Sequence, residues 1–550
     1  MFLLLERRPD GDVDLTTYRR PDPRAPLTAE GTRRVRDGDL AEVVRATEGD
    51  PAAADGPRWV WDDTPRWYPR LLDAGVRVAR CVDLRLCHAV LRAAAATAGH
   101  ELNGAPRGPW DVPAATERPS DGLFDVPPDS LPGPAAEFAR QRSAIEASPG
   151  RRGLELLTAA ESTGALVAVE MRRRGIPWSA EVHDRLLTRA LGPRPSPGER
   201  PAGMRADLDE VRAALGAPDL NPDSTAELLR SLNAAGIHVA STSKHELQRH
   251  EHPVIEPLLR YKLKQRLLVA NGWTWLDAWV HDGRFRPDYV PGGVVTGRWA
   301  TSGGGALQLP RAVRAAVVAD PGHRLVVADA SQLEPRILTG LSGDRAMAAA
   351  GEGDLYEGIV RSGAVATRAE AKLAMLGAMY GATSGESGRL VPRLARQFPA
   401  AMALVEAAAR TGEQGGVVST LLGRTSPSPA AGADELPPEM PRETAGRDTR
   451  AWGRFTRNFV VQGTAAEWAL CWMGALRSRL HARWGDEGDV PHLVFFLHDE
   501  LVLHVPSFAA DEVAAVVVEA AAEAGRLLFG EAPVRFPLTV AVVDDYSQAK

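Results

Sequence analysis

From residue 153 to residue 174 apolar side chains recur every three or four positions, which predicts a long amphipathic helix, and Gly175 followed by Pro177 closes it. Ser224 with Glu227 makes a capping box, and Gly236 suits the position just past a helix end, so residues 225–235 read as a short helix. Helical periods dominate until about residue 320. There the texture changes: Leu325-Val326-Val327-Ala328 is an apolar run of strand length that stops at Asp329. Nearer the C-terminus, Leu493-Val494-Phe495-Phe496-Leu497 and Leu501-Val502-Leu503-His504-Val505 are two β-rich runs joined by His498-Asp499-Glu500, a hairpin with an acidic tip. Proline punctuates the rest. Eight prolines between Pro106 and Pro134 predict an extended linker and a domain boundary, and 193–201 and 427–441 read as surface loops.

Composition narrows the class. A chain of 550 residues suits three or four domains, and 44% hydrophobic with 25% charged residues is ordinary for a globular protein. The net charge of −6 supplies no global positive field for nucleic acid or membrane, so any such partner must be met by a local patch. Of the 65 basic residues only Lys244, Lys262, Lys264, Lys372 and Lys550 are lysines. Three cysteines, Cys81, Cys87 and Cys471, make neither a disulfide framework nor a C-x-x-C zinc pair, which suits a reducing cytoplasm. The apolar start Met1 to Leu5 stops at Glu6, and no apolar run of about 18 residues occurs, so neither export nor a membrane span is expected.

The candidate chemistry lies in the second half. Taken singly, Asp329 is a helix cap after a strand, and Asp499-Glu500 a solvated turn. The segment between them raises the stakes. Arg368, Lys372, Leu376 and Tyr380 recur every four residues, and at about 40° of drift per step they form one slowly spiralling stripe about 18 Å long. Two cations and a phenol on one helix face can hold a triphosphate at one end and meet a base at the other. In so lysine-poor a chain, Lys372 favours a role that needs a compact ammonium. A second row, Arg454, Asn458 and Gln462, leads into Gly463-Thr464-Ala465-Ala466-Glu467 and carries side chains suited to phosphates and base edges.

The ordered set Thr296-Gly297-Arg298, Asp329-Ala330-Ser331-Gln332-Leu333-Glu334-Pro335-Arg336, Arg368-x3-Lys372-x7-Tyr380-Gly381, Gln462-Gly463-Thr464-Ala465-Ala466 and His498-Asp499-Glu500 resembles the family A DNA polymerases of the bacterial DNA polymerase I type. The resemblance implies an α+β multidomain fold: a right-hand polymerase with thumb, palm bearing an antiparallel sheet and helical fingers, after an RNase H-like α/β exonuclease-like domain. The expected division is 1–150 exonuclease-like, 151–295 thumb, 296–345 and 451–550 palm, and 346–450 fingers, with no room for the family's separate 5' nuclease domain. It implies that Asp329 and Asp499 hold two Mg²⁺ ions, with Mn²⁺ able to substitute, and that Glu500 supports them. Arg368 and Lys372 look like a triphosphate clamp, Lys372 being a candidate proton donor to pyrophosphate. Gln332, Leu376 and Tyr380 border the nucleotide, and Glu334 matches a sugar gate. Arg298, Arg454, Asn458, Gln462 and His498 match residues that touch DNA. The implied partners are primer–template DNA and deoxynucleoside triphosphates, the implied state a monomer in the cytoplasm at the nucleoid, the implied role replication, repair or gap filling.

Departures are visible too. Leu376 stands where the family has Phe or Tyr, Ala330 replaces Tyr and Pro335 replaces Leu. Upstream, no Asp-x-Glu occurs in residues 1–150, and where the family places Tyr-x3-Asp this chain reads Phe138-Ala139-Arg140-Gln141-Arg142. Tyr18-x3-Asp22 fits that pattern at the wrong end. An exonuclease-like scaffold without activity is therefore expected, with a weakened DNA-binding homologue or residual 3'-5' exonuclease activity as the alternatives.

Overall fold

A computed structural model describes all residues except 21–24, 26, 50–55, 112–130, 383–384, 430–448, 487 and 550. Most of the proline-rich segment from Pro106 to Pro134, most of the loop expected over 427–441, and Asp22 lie outside the described residues. The chain forms two compact units, one of residues 1–174, 288–303 and 322–542, the other of residues 175–287, 304–321 and 543–550.

The first unit begins with a five-stranded sheet of β1 (Phe2–Arg7), β2 (Val13–Arg19), β3 (Thr28–Val35), β4 (Arg58–Trp61) and β5 (Cys81–Asp83), ordered β3-β2-β1-β4-β5. β1 runs antiparallel to β2 and parallel to β4. Leu3, Leu4, Leu5, Trp59, Val60 and Trp61 are all buried, as central strands covered on both faces require. Helix α1 (Pro134–Ala147) sets Phe138 against Phe2 and Tyr18. Helix α2 (Arg151–Arg174) is the long amphipathic helix expected from the period, and it ends at Gly175 with φ +70°. It is apolar on two faces. Leu166 and Val169 join the core of the first sheet, while Val167, Ala168 and Met171 join the larger core that follows.

That larger core is built on a second sheet. After the short antiparallel pair β6 (Asp288–Val290) and β7 (Ala300–Gly303) come β8 (His323–Ala330), β9 (His492–Leu497), β10 (Glu500–Pro506) and β11 (Leu538–Val543), ordered β9-β10-β8-β11. Helices α3 (Leu333–Ser342), α4 (Leu355–Arg361), α5 (Arg368–Tyr380), α6 (Thr449–Trp484) and α7 (Ala510–Phe529) pack around it, together with the helices Arg345–Ala350, Gly385–Gln397 and Pro399–Glu413. Val326, Ala328, Leu501 and Leu503 meet Trp468, Trp472 and Leu476 of α6 and Val513 and Val517 of α7 in one buried cluster. Each such aliphatic side chain contributes about 1.5–3 kcal/mol by leaving water. α6 is also tied to the N-terminal sheet. The buried Arg477 guanidinium donates to Glu170 of α2, to Tyr68 Oη, and to the carbonyls of Val78 and Ala79.

The second unit is mostly helical, with helices Ala180–Leu191, Ala202–Leu215, Thr225–Ala234 and Ile255–Asn271 and a three-stranded ribbon of Ile176–Pro177, Arg284–Phe285 and Val280–His281. Its short helix ends at Ala234, one residue before the sequence boundary, with Gly236 at φ +81°. Only half of the expected capping box forms: Ser224 Oγ accepts from Glu227 N, but the Glu227 carboxylate accepts from Asn221 N at 2.8 Å. Among the described residues no helix is long and apolar enough to cross a membrane.

Candidate functional site

Antiparallel pairing of β8 with β10 brings Ala328 opposite Leu501 and Asp329 opposite Glu500. One rung further, Ala330 N–H donates to the Asp499 carbonyl at 2.8 Å. Asp329 and Asp499 therefore sit at one end of one ladder. The acidic tip is smaller than the sequence suggested. Glu500 is a buried member of β10, and the turn is His498-Asp499 alone, closed by Asp499 N–H to Leu497 O at 2.7 Å. That three-residue bond puts His498 at φ +57°, a conformation non-glycine residues adopt at a cost of about 1–2 kcal/mol and which collects at functional sites. Burial lowers the His498 pKa to about 4, with help from Arg298, so the imidazole is neutral at physiological pH.

The predicted stripe on α5 is present as drawn. Arg368, Lys372, Leu376 and Tyr380 are exposed, whereas Ala371, Ala374, Met375, Ala378 and Met379 are buried. Thr367 and Glu370 form a full capping box at its start, and Gly381 at φ +72° ends it. Each polar member except Lys372 has an acidic partner. Arg368 Nη2 donates to Asp354 Oδ2 at 2.8 Å and its guanidinium lies 5.4 Å from the ring centre of Tyr356. Tyr380 Oη donates to Glu334 Oε2 at 3.3 Å, and Arg298 Nη2 donates to the other Glu334 oxygen at 2.5 Å. Lys372 makes no ion pair with the described residues. Of the four basic side chains Arg298, Arg368, Lys372 and Arg454, two are thus partly neutralised, Arg298 by Glu334 and Arg368 by Asp354.

Gln332 is held as tightly as any residue of the group. It sits at φ +55° between β8 and α3, donating to Asp354 Oδ2 and accepting from Leu355 N–H and Arg336 Nη2. Pro335 occupies the first turn of α3, where a missing N–H is harmless. Asp354 caps α4 and gathers Gln332 and Arg368. Burial alone would raise its carboxyl pKa, but the hydrogen bonds from Arg368, Glu357 N–H and Gln332 hold it below the usual range. On α6, Arg454 is exposed and Asn458 and Gln462 half-buried, a row of accessible positions between buried neighbours such as Trp452, Thr456, Phe459 and Val461.

A cavity of about 250 Å³ joins these parts, lined by Arg298, Gln332, Glu334, Tyr356, Leu376, His498 and Asp499, with Trp299 and Phe496 at its floor. Tyr356 and Asp354 were not singled out in the sequence. The one local signal was Asp354-x-x-Glu357, a helix start that says nothing of Arg368. Asp329, Glu500, Arg368, Lys372 and Tyr380 border the region without lining that cavity, and Arg454, Asn458 and Gln462 lie along α6 beside it.

Behind the cavity a second set of ionisable groups is fully buried. Glu467 of α6 accepts from Thr420 Oγ1 and from Leu422 N–H at 3.1 Å. Burial pushes its pKa up to about 7 from 4.5, against hydrogen bonds from Thr420 and Leu422 N–H and the charge of Arg424, with Glu161 adding to the rise. Between those two pH values the folded chain keeps a proton that the unfolded chain has lost. The associated stability is fully present below pH 4.5 and is lost as pH rises through 7. Glu467→Gln, uncharged and of the same shape, is expected to remove that decline, leaving the variant roughly 2–3 kcal/mol more stable than wild type at pH 8 and equal to it at pH 4. Urea unfolding at the two pH values measures this, and parallel pH slopes in both proteins would refute it.

A sequence model of DNA polymerase family A matches residues 225–543, and the chain belongs to that family. DNA polymerase I, thermostable, of Thermus thermophilus is 30% identical over 349 residues, covering 57% of this chain and 39% of that protein. DNA polymerase I of Chloroflexus aurantiacus is 27% identical over 397 residues, covering 66% of this chain and 38% of the relative. The chain thus spans about two fifths of the length of these relatives. In fold it is similar to the POL domain of Pol1 from M. smegmatis, solved in complex with DNA primer-template and dNTP, with a TM-score of 0.68 at 18% identity over 100% of this chain and 95% of that one.

Proposed function

We propose that this chain is a template-directed DNA polymerase that adds deoxynucleoside triphosphates to a primer 3' end, in repair or gap filling. The observation that carries the reading is a cavity lined by Asp499, at the ladder end it shares with Asp329, and by Leu376, a member of the exposed Arg368–Lys372–Leu376–Tyr380 face of α5. Two hard carboxylates on adjoining strand ends fit Mg²⁺, which takes one or two carboxylates together with substrate phosphate oxygens and water. Asp329 and Asp499 would hold it. When bound, two such ions stabilise the attacking and leaving oxygens of an in-line displacement.

The remaining steps belong to the chain's own residues. Arg368 releases Asp354 and, with Lys372, grips the triphosphate by charge-assisted hydrogen bonds. Lys372 delivers a proton from Nζ to the departing pyrophosphate. Glu334, braced by Arg298 and Tyr380, stands as a wall beneath the sugar and leaves no space for a 2'-hydroxyl. His498, neutral, borders the primer end, and Glu500 supports the carboxylates that would hold the metal. Arg454, Asn458 and Gln462 follow the minor groove, where acceptors common to all base pairs let geometry be checked without reading sequence. The division into an N-terminal scaffold, thumb, two-part palm and fingers at the boundaries given above is part of this reading, as are a monomeric state and a place at the nucleoid.

The N-terminal sheet is read as an exonuclease-like scaffold without activity. Arg142, at the position where a metal carboxylate would be needed, packs over the Phe2 ring and pairs with Glu146 and Glu155. A guanidinium there repels the metal ions such chemistry requires.

A labelled primer–template incubated with Mg²⁺ and deoxynucleotides tests the reading. Template-dependent extension is expected, without primer shortening when nucleotides are withheld. Lys372→Arg is expected to lower nucleotide incorporation about 10²-fold, since a guanidinium keeps the charge but cannot give up its proton. Incorporation at the wild-type rate by that variant would remove Lys372 from the chemistry.

A further inference from the structure

We infer that Arg424, a residue outside the nucleotide cavity, is a positioning residue that sets the Thr296-Gly297-Arg298 turn and through it the wall formed by Glu334. The inference rests on the polymerase reading above and concerns how its sugar discrimination is built. Arg424 lies in a tight loop pinned at several points. Thr420 N–H donates to Arg424 O at 2.8 Å, Leu421 N–H to Thr464 Oγ1, and Leu422 N–H to Glu467, so the loop is fixed to α6. Its guanidinium is largely buried, with Nε fully so, and donates through Nη2 to the buried Glu161 of α2.

The face of that guanidinium is pressed against Gly297. A Cβ added to Gly297 would fall 2.5 Å from Arg424 Nε and 3.0 Å from Cζ, and Gly297 has φ +85°. Only glycine fits there. The same turn is closed by Gly297 N–H to Val294 O and Val294 N–H to Arg298 O. Glu161 lies beside the chain two residues before this turn, where a Cβ on Gly292 would fall 3.4 Å from Oε2. The turn that launches Arg298 therefore rests against Arg424, which Glu161 of α2 holds from behind and which the loop pinned to α6 carries. Arg298 in turn holds one oxygen of Glu334 while Tyr380 holds the other. A guanidinium is planar and rigid where an ammonium is a point charge, so Arg424→Lys keeps the charge beside Glu161 but loses the flat surface under the turn.

Loosening the turn should free Arg298 and let Glu334 swing away from the sugar. Arg424→Lys is expected to lower the ratio of kcat/KM for deoxy- over ribonucleotides about tenfold, with deoxynucleotide kcat within about threefold of wild type. Gly297→Ala, which pushes the turn off the guanidinium from the other side, should give the same loss. Thermal unfolding checks that each variant is folded. A merely structural role for Arg424 would lower Tm or kcat for both nucleotide classes together and leave the ratio unchanged, which would overturn the assignment even with wild-type extension intact. No extension by the wild-type protein under any nucleotide would instead overturn the polymerase reading itself.

Discussion

Asp499→Asn is expected to reduce primer extension by on the order of 10³-fold or more while primer–template binding stays within a few-fold of wild type. Asp499 contributes its backbone to the last rung of the β8–β10 ladder, so the amide replacement leaves the hairpin intact and removes only the charge. Asp329→Ala should behave alike, because the two carboxylates project from the same end of one sheet and are asked to share the same ions. Extension at a rate near wild type in either variant would end the two-carboxylate assignment. Equal loss of DNA binding and extension would show that the substitution had damaged the fold rather than the chemistry. Steady-state primer extension with a gel-shift measurement on the same preparations separates these outcomes.

Arg477→Met is expected to cost about 3–5 kcal/mol of stability. Burial opposes the charge of Glu170, and it is the Arg477 and Arg77 guanidinium groups, first among them Arg477, that hold its carboxyl below the usual range. Removing Arg477 takes away the main partner of that carboxylate, leaving it Arg77 and the Tyr68 hydroxyl, and leaves the carbonyls of Val78 and Ala79 without this donor. Adding Glu170→Gln should recover a substantial part of the loss, since much of the penalty comes from a carboxylate that has lost its main counter-charge rather than from the missing contacts. Denaturant unfolding of the two single variants and the double variant reads this as a coupling, and strictly additive losses would count against it.

Local patterns in the chain were legible because they depend on neighbours a few residues away. The four-residue spacing of Arg368, Lys372, Leu376 and Tyr380 translates directly into one exposed helical face, and an apolar run ending in Asp329 translates into a strand with a carboxylate at its end. The hairpin was readable for the same reason, although register moved Glu500 from the tip into the buried strand, a matter of one residue that alternation alone does not decide. What stayed hidden joins distant segments. Arg298 and Glu334 are 36 positions apart, Arg424 and Glu161 are 263 apart, and Arg477 and Glu170 are 307 apart. Each is a charged residue in a chain rich in arginine, where no sequence rule distinguishes a solvated guanidinium from one that organises a site. Asp354 was overlooked because a helix cap and a partner for Arg368 look the same in sequence.

Helix α6 carries 36 residues, and at 1.5 Å per residue it is about 54 Å long. Arg454, near one end, belongs to the accessible row; Arg477, 23 residues on, is bolted to the N-terminal layer through Glu170 of α2 and the carbonyls of Val78 and Ala79. A single uninterrupted rod therefore spaces the row and the anchor about 35 Å apart. The N-terminal layer acts as the abutment for a ruler, and its removal would leave the far end of that ruler without a fixed zero.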